Sequence, residues 1–80
     1  ADDVFQEGYA LMPLSEVEQF VKDNGHLPGI PSAVEVESKG LELGAMQAKM
    51  MEKIEELTLH LIRLEKENAL LKQEVKGLKR

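Results

Sequence analysis

The sequence predicts an all-α protein in which short helices and extended turns pack at the start of a long parallel coiled-coil helix. Two observations carry that prediction. From Leu43 onward, apolar residues recur at alternating steps of four and three without a proline, which is the heptad pattern of helices that bury a seam against one another. Before that point, prolines, glycines and two Ser-x-x-Glu patterns divide the chain into short pieces. Residues 1–42 therefore form a small head, and residues 43–80 form the coiled coil.

The rod is the more regular part. The d positions read Leu43, Met50, Leu57, Leu64, Leu71 and Leu78, and the a positions read Gln47, Ile54, Leu61, Asn68 and Val75. No proline follows Pro31, and Gly77 falls in the last turn, where fraying is tolerated. At 1.5 Å per residue the rod should be roughly 55 Å long. Flanking charges set the direction, because in parallel strands a g residue faces the e residue five positions later on its neighbour. Glu67 would then face Lys72, Glu74 would face Lys79, and His60 would face Glu65, while Lys53 meets the neutral Thr58. Like charges never meet in this register. Such exposed pairs contribute only ~0.3–0.5 kcal/mol each, so they select orientation while the buried seam supplies stability.

The heptads leave the number of strands open. Ile54 and Val75 at a, leucine at d and a single Asn68 at a are the choices of a two-stranded zipper. Met46 and Met51 at g and e widen the apolar stripe, and Gln47 at a suggests a roomier axis, both of which suit three strands. Leu59, Ile62 and Leu70 fall off the seam at f, b and c. They are either scattered surface residues or a second stripe on which the first 40 residues fold back.

The head reads as punctuated helices. Ser15 and Glu18 form a potential capping box, so a helix is expected from there, with Val17, Phe20 and Val21 on its apolar face. Asn24-Gly25 supplies a left-handed stop. The run His26-Leu27-Pro28-Gly29-Ile30-Pro31 cannot be helical, since each proline biases its predecessor, Leu27 or Ile30, toward extended geometry. Leu27 and Ile30 make this an apolar corner. Ser32 and Glu35 repeat the capping box, starting a second helix that should end at Lys39 before Gly40, with Gly40 to Gly44 hinging into the rod. Val4-Phe5 and Tyr9 to Met12 are expected to be extended stretches that dock on these helices or pair between chains.

Composition narrows the function classes. An 80-residue chain with three aromatic rings has little material for a core of its own, so a core shared between subunits is expected. The net charge of -5 sits in residues 1–40, where eight acids face only Lys22 and Lys39. Neither half offers the basic stripe that nucleic acid requires, and no apolar run is long enough to span a membrane. Without cysteine there is no disulfide framework or thiolate metal site.

No catalytic, cofactor-binding or metal-ligating set emerges. His26 and His60 lie far apart; His60 reads as a surface partner of Glu65, and His26 as a packing or hydrogen-bonding residue. Glu52, Glu55 and Glu56 read as the solvated face of a helix. Clustered Met46, Met50 and Met51 read as flexible core filler. The chain is therefore expected to be non-enzymatic and to need no cofactor.

The run from Tyr9 to Glu18, the stretch His26 to Ala33, and the segments Gly40 to Lys49 and Ile54 to Leu59 together resemble the C-terminal end of tail-fibre-like and surface proteins of Bacteroidetes. The resemblance covers nearly the whole chain, and its specific part is His-Leu-Pro-Gly-Ile-Pro-Ser. In placement it is similar to the endosialidase-type intramolecular chaperone of phage tail spikes. The resemblance implies a homotrimer rather than the alternative homodimer. It also implies an upstream fibre region of the same chain as partner, and a location outside the cell, on its surface or on a virion tail fibre. The expected role is oligomerisation and folding registration. The alternative is a dimeric zipper that displays the head to another protein. Those chaperones cut themselves at a serine followed by aspartate. Here Ser15, Ser32 and Ser38 precede glutamate, alanine and lysine, so self-cleavage has no residues to carry it.

Overall fold

The computed structural model describes residues 3–39 and 43–78. Its helices are α1 (Leu14–Asn24), α2 (Ala33–Lys39) and α3 (Leu43–Leu78), with no strand among the described residues. The protein is all-α. Among the described residues no helix is long and apolar enough to cross a membrane. The molecule is elongated, 61 × 28 × 18 Å, because the 36 residues of α3 run unbroken.

Helix α1 begins earlier than its serine suggests. Pro13 is its N-cap, at φ -59° and ψ 147°, and no side chain caps the helix. The Pro13 carbonyl accepts from the amides of Glu16 and Val17, both at 3.0 Å. A proline has no N–H to leave unsatisfied and its φ is already fixed, so the helix starts there and Ser15 falls inside the first turn. The expected Ser15–Glu18 box is thereby pre-empted. Glu18 instead pairs with Lys22 at 3.5 Å on an exposed face. The other end is as predicted: Gly25 is left-handed at φ 75°, and its N–H donates to Val21 O at 2.8 Å.

Leu27 to Ile30 then form a tight turn closed by the Ile30 N–H donating to Leu27 O at 3.2 Å. Proline at the second position and Gly29 at φ 79° at the third match a type II turn, which requires positive φ at the third. Helix α2 carries the predicted capping box. The Glu35 N–H donates to Ser32 Oγ at 3.2 Å, and the Ser32 N–H donates to Glu35 Oε1 at 3.3 Å. The stop at Gly40, the hinge through 40–42, the boundary between residues 42 and 43, and the Glu74–Lys79 pair involve positions outside the described residues.

Two expectations about the head are corrected. Val4-Phe5 is not extended, because residues 3–8 wind through turns in which the Gln6 N–H reaches Asp3 O and the Tyr9 N–H reaches Gln6 O. Val4 is fully buried and Phe5 is left outside. The two short helices also make little contact with α3. The irregular segments, residues 3–13 and the corner at 27–29, bring the head against the rod instead, because they offer backbone carbonyls and a phenol to polar groups on α3.

Candidate functional site

Two features on α3 bear on function: the predicted seam, and the joint where the head meets the helix. All eleven predicted a and d residues, from Leu43 to Leu78, are exposed in the single chain. Among the large apolar ones the exposure runs from 42% at Leu64 to 85% at Leu78. A continuous apolar stripe of this length is far more than the scattered single residues normal on a monomer surface. Near its middle Leu61, Leu64, Asn68 and Leu71 line a shallow groove rimmed by Glu65 and Glu67.

The head leaves that stripe uncovered and occupies the flank beside it. The joint centres on Lys53, Glu56 and His60, which fall at g, c and g in the predicted register. Tyr9 donates its hydroxyl proton to Glu56 Oε2 across 47 positions of sequence. Lys53 Nζ donates to the other oxygen, Oε1, at 2.8 Å, and the two charged side chains are only 17% and 18% exposed. Gly29 lies directly over this pair. A Cβ built on it would touch Lys53 Cε and Nζ at 3.5 Å.

Hydrogen bonding sets the electrostatics of this cluster. Burial pushes the Glu56 carboxyl up, but the Lys53 and Tyr9 hydrogen bonds outweigh it and hold the group below its ordinary 4.5. The same bond acts oppositely on Tyr9. Its hydrogen bond to Glu56, then burial, then the negative charges of Glu56, Glu52 and Asp3 push the phenol up to about 12. Tyr9 is thus a firm hydrogen-bond donor and a poor source of phenolate. The arrangement satisfies its own charges and acts as a latch.

His60 provides the second fastening and corrects the reading of it as a surface residue. It is 6% exposed, and its Nε2 lies 3.0 Å from the carbonyl of Met12. A carbonyl only accepts, so Nε2 carries the proton and Nδ1 faces Arg63 Nη2 at 3.4 Å as an acceptor. Arg63 in turn pairs with Glu67 at 3.0 Å. His60, expected to face Glu65 of a neighbouring strand, is therefore committed to its own head. The acids at 52–56 are corrected as well: Glu52, Glu55 and Glu56 are all half-buried, and Glu55 Oε1 is buried with no hydrogen-bond partner. The solvated face of the helix lies elsewhere.

Of the residues expected to pack the head, Val17, Phe20 and Ile30 are half-buried, whereas Val21 and Leu27 are more than a third exposed. Phe20 and His26 meet edge to face, with ring centres 5.4 Å apart. His26 is thus a packing residue, and its Nδ1 lies 2.9 Å from Leu27 O. Among the off-seam residues Leu59 is half-buried, while Ile62 and Leu70 stay exposed. The fold-back expected from them reaches as far as Leu59 and centres on Lys53, Glu56 and His60, leaving Ile62 and Leu70 outside it.

Sequence reasoning expected the stretch from Tyr9 to dock but missed the Tyr9 bond to Glu56, and it missed Glu56 and Pro28 as joint residues. One signal was available: a tyrosine in an irregular segment is an amphipathic body that wants a partner for its hydroxyl. Which carboxylate it would reach could not be read from spacing. Between head and rod lies a pocket of roughly 150 Å³, with apolar residues such as Leu11, Leu27 and Pro28 on the head side and Lys53, Glu56, Leu57 and His60 on the rod. No family model, curated protein or solved structure matches the chain.

Proposed function

We propose that this chain is a non-enzymatic C-terminal oligomerisation and folding-registration module of a fibrous surface or phage-tail-fibre-like protein, assembling as a parallel homotrimer. The observation that carries this reading is the unbroken a and d stripe from Leu43 to Leu78, exposed along its whole length while the head occupies a different flank. Each leucine or isoleucine fully buried from that stripe would contribute about 1.5–3 kcal/mol, which makes the seam the largest source of stability open to so small a chain. Asn68, a polar group at one a position, would fix the register of the strands.

Strand number and setting rest on the resemblance of the head and corner sequences to tail-fibre-like proteins. That resemblance supplies three strands, an upstream fibre region of the same chain, and a location on a cell surface or virion. The zipper-like choice of Ile54 and Val75 at a with leucine at d favours the second reading, a dimeric adaptor that presents its head to another protein. Sedimentation equilibrium across micromolar concentrations separates the two. Three chains support the fibre module, two support the adaptor, and a persistent monomer overturns both.

A further inference from the structure

We propose that Asn24-Gly25 is a site of spontaneous covalent modification, at which the Gly25 nitrogen attacks the Asn24 side chain, and that the C-terminal cap of α1 sets its rate. Both residues lie in the head of a single chain, so the inference does not depend on strand number.

The chemistry needs these two residues and water. The Gly25 backbone nitrogen loses its proton to water or hydroxide and bonds to Asn24 Cγ. The Cγ–Nδ2 bond breaks, and the departing nitrogen takes up a proton and leaves as ammonia. A five-membered succinimide remains, which water opens at one carbonyl or the other to give aspartate or isoaspartate. Glycine suits the attacking position because it has no Cβ to shield its nitrogen. A Cβ built on Gly25 would meet nothing within 4 Å, and both residues are exposed, so neither neighbours nor lack of water obstruct the reaction.

The folded head holds both reacting groups back. Asn24 is the last residue of α1, and its Nδ2 donates to Phe20 O at 3.0 Å. The Gly25 N–H donates to Val21 O at 2.8 Å as the left-handed cap. Attack requires the nitrogen to leave that acceptor and Asn24 to leave helical geometry, so that Cγ can reach it. The route therefore runs through an opened last turn of α1. With 11 residues and little contact with α3, α1 opens more readily than the rod. When opening and closing are fast beside ring closure, the rate follows the open fraction.

The products do not rebuild the same stop. Either one places a carboxylate at the C-terminal end of α1, where the helix dipole disfavours it, next to Asp23. Lys22, the base of that turn, is already paired with Glu18. Isoaspartate also adds a carbon to the main chain before Gly25, which shifts its N–H out of register with Val21 O. Each event is thus a lasting record of an opening of the head.

The full chain, a Gln19→Pro chain and a peptide of residues 20–30 would be incubated side by side near neutral pH. Mass spectrometry with isoaspartate quantification then follows Asn24. Gln19 is exposed and its side chain reaches only Asp23, so proline there breaks α1 while leaving the residues around Asn24 unchanged. The full chain should react about ten-fold or more slowly than the peptide, and Gln19→Pro within about three-fold of it. Asn68, inside α3 and followed by Ala69, should react more slowly still. Absence of product in the peptide, equal rates in chain and peptide, a Gln19→Pro chain as slow as its parent, or product at Asn68 ahead of Asn24 would each overturn the proposal.

Discussion

Replacing Tyr9 by phenylalanine removes one hydroxyl and tests whether the latch holds the head. Tyr9 donates to Glu56, an ionised acceptor that is half-buried beside Lys53. Hydrogen bonds to charged groups contribute about 1.5–3 kcal/mol, and the partial exposure of this one reduces the expectation to about 1–2 kcal/mol. Helix α1 has only 11 residues and would be marginal alone, so its amide protection depends on the head being docked. Hydrogen exchange of the α1 amides in Tyr9→Phe should therefore speed up about 5- to 30-fold, the equivalent of that free energy. A double-mutant cycle with Glu56→Gln should return a coupling of about 1 kcal/mol or more. The effect should also depend on pH in a fixed sense. Glu56 titrates lower in the folded state than its ordinary 4.5, so its contribution is complete above that value and is lost as pH falls through the folded one. Tyr9 titrates higher when folded, so its contribution is complete below pH 10.0 and is lost as pH rises through about 12. The penalty of Tyr9→Phe should be greatest between these limits. Unchanged exchange at pH 7, or a coupling of zero, would show that the contact does not hold the head.

Two further substitutions test local and assembly features. Ser32→Ala removes the Oγ that accepts from the Glu35 N–H and donates to Glu35 Oε1, and should cost about 1 kcal/mol in thermal denaturation, whereas Ser15→Ala, inside an α1 that has no side-chain cap, should stay within about 0.5 kcal/mol. Asn68→Ile should raise the melting temperature and loosen the choice of strand number; a lower melting temperature would show that the heptad register is wrong.

Features legible in the sequence are those decided by neighbours within four positions. The continuity of α3 follows from an uninterrupted apolar period without proline, the stop at Gly25 from a residue free to take positive φ, and the α2 start from Ser32 and Glu35. The Leu27 to Ile30 turn follows from proline and glycine in the two places where their backbones fit. The start of α1 shows the limit of this reading, because two local signals competed and Pro13, with its fixed φ and no N–H to satisfy, won over Ser15.

The exposed row of a and d residues was also readable, since a period alone places side chains on one face. Where the head would lie was not. Apolar residues off the seam pointed to Leu59, Ile62 and Leu70, yet the head is fastened at Glu56 and His60 and leaves Ile62 and Leu70 exposed. The reason is that its irregular segments carry backbone carbonyls and a phenol that must be satisfied, so polar groups on the rod attract them more specifically than leucines do. The Tyr9 bond to Glu56 and the His60 bond to Met12 span 47 and 48 positions, a separation over which no spacing rule operates. Residue order alone determined a long helix with one apolar seam and a punctuated head. Only the tertiary structure decided which face the head covers, because that choice lies with hydrogen bonds between groups distant in the chain.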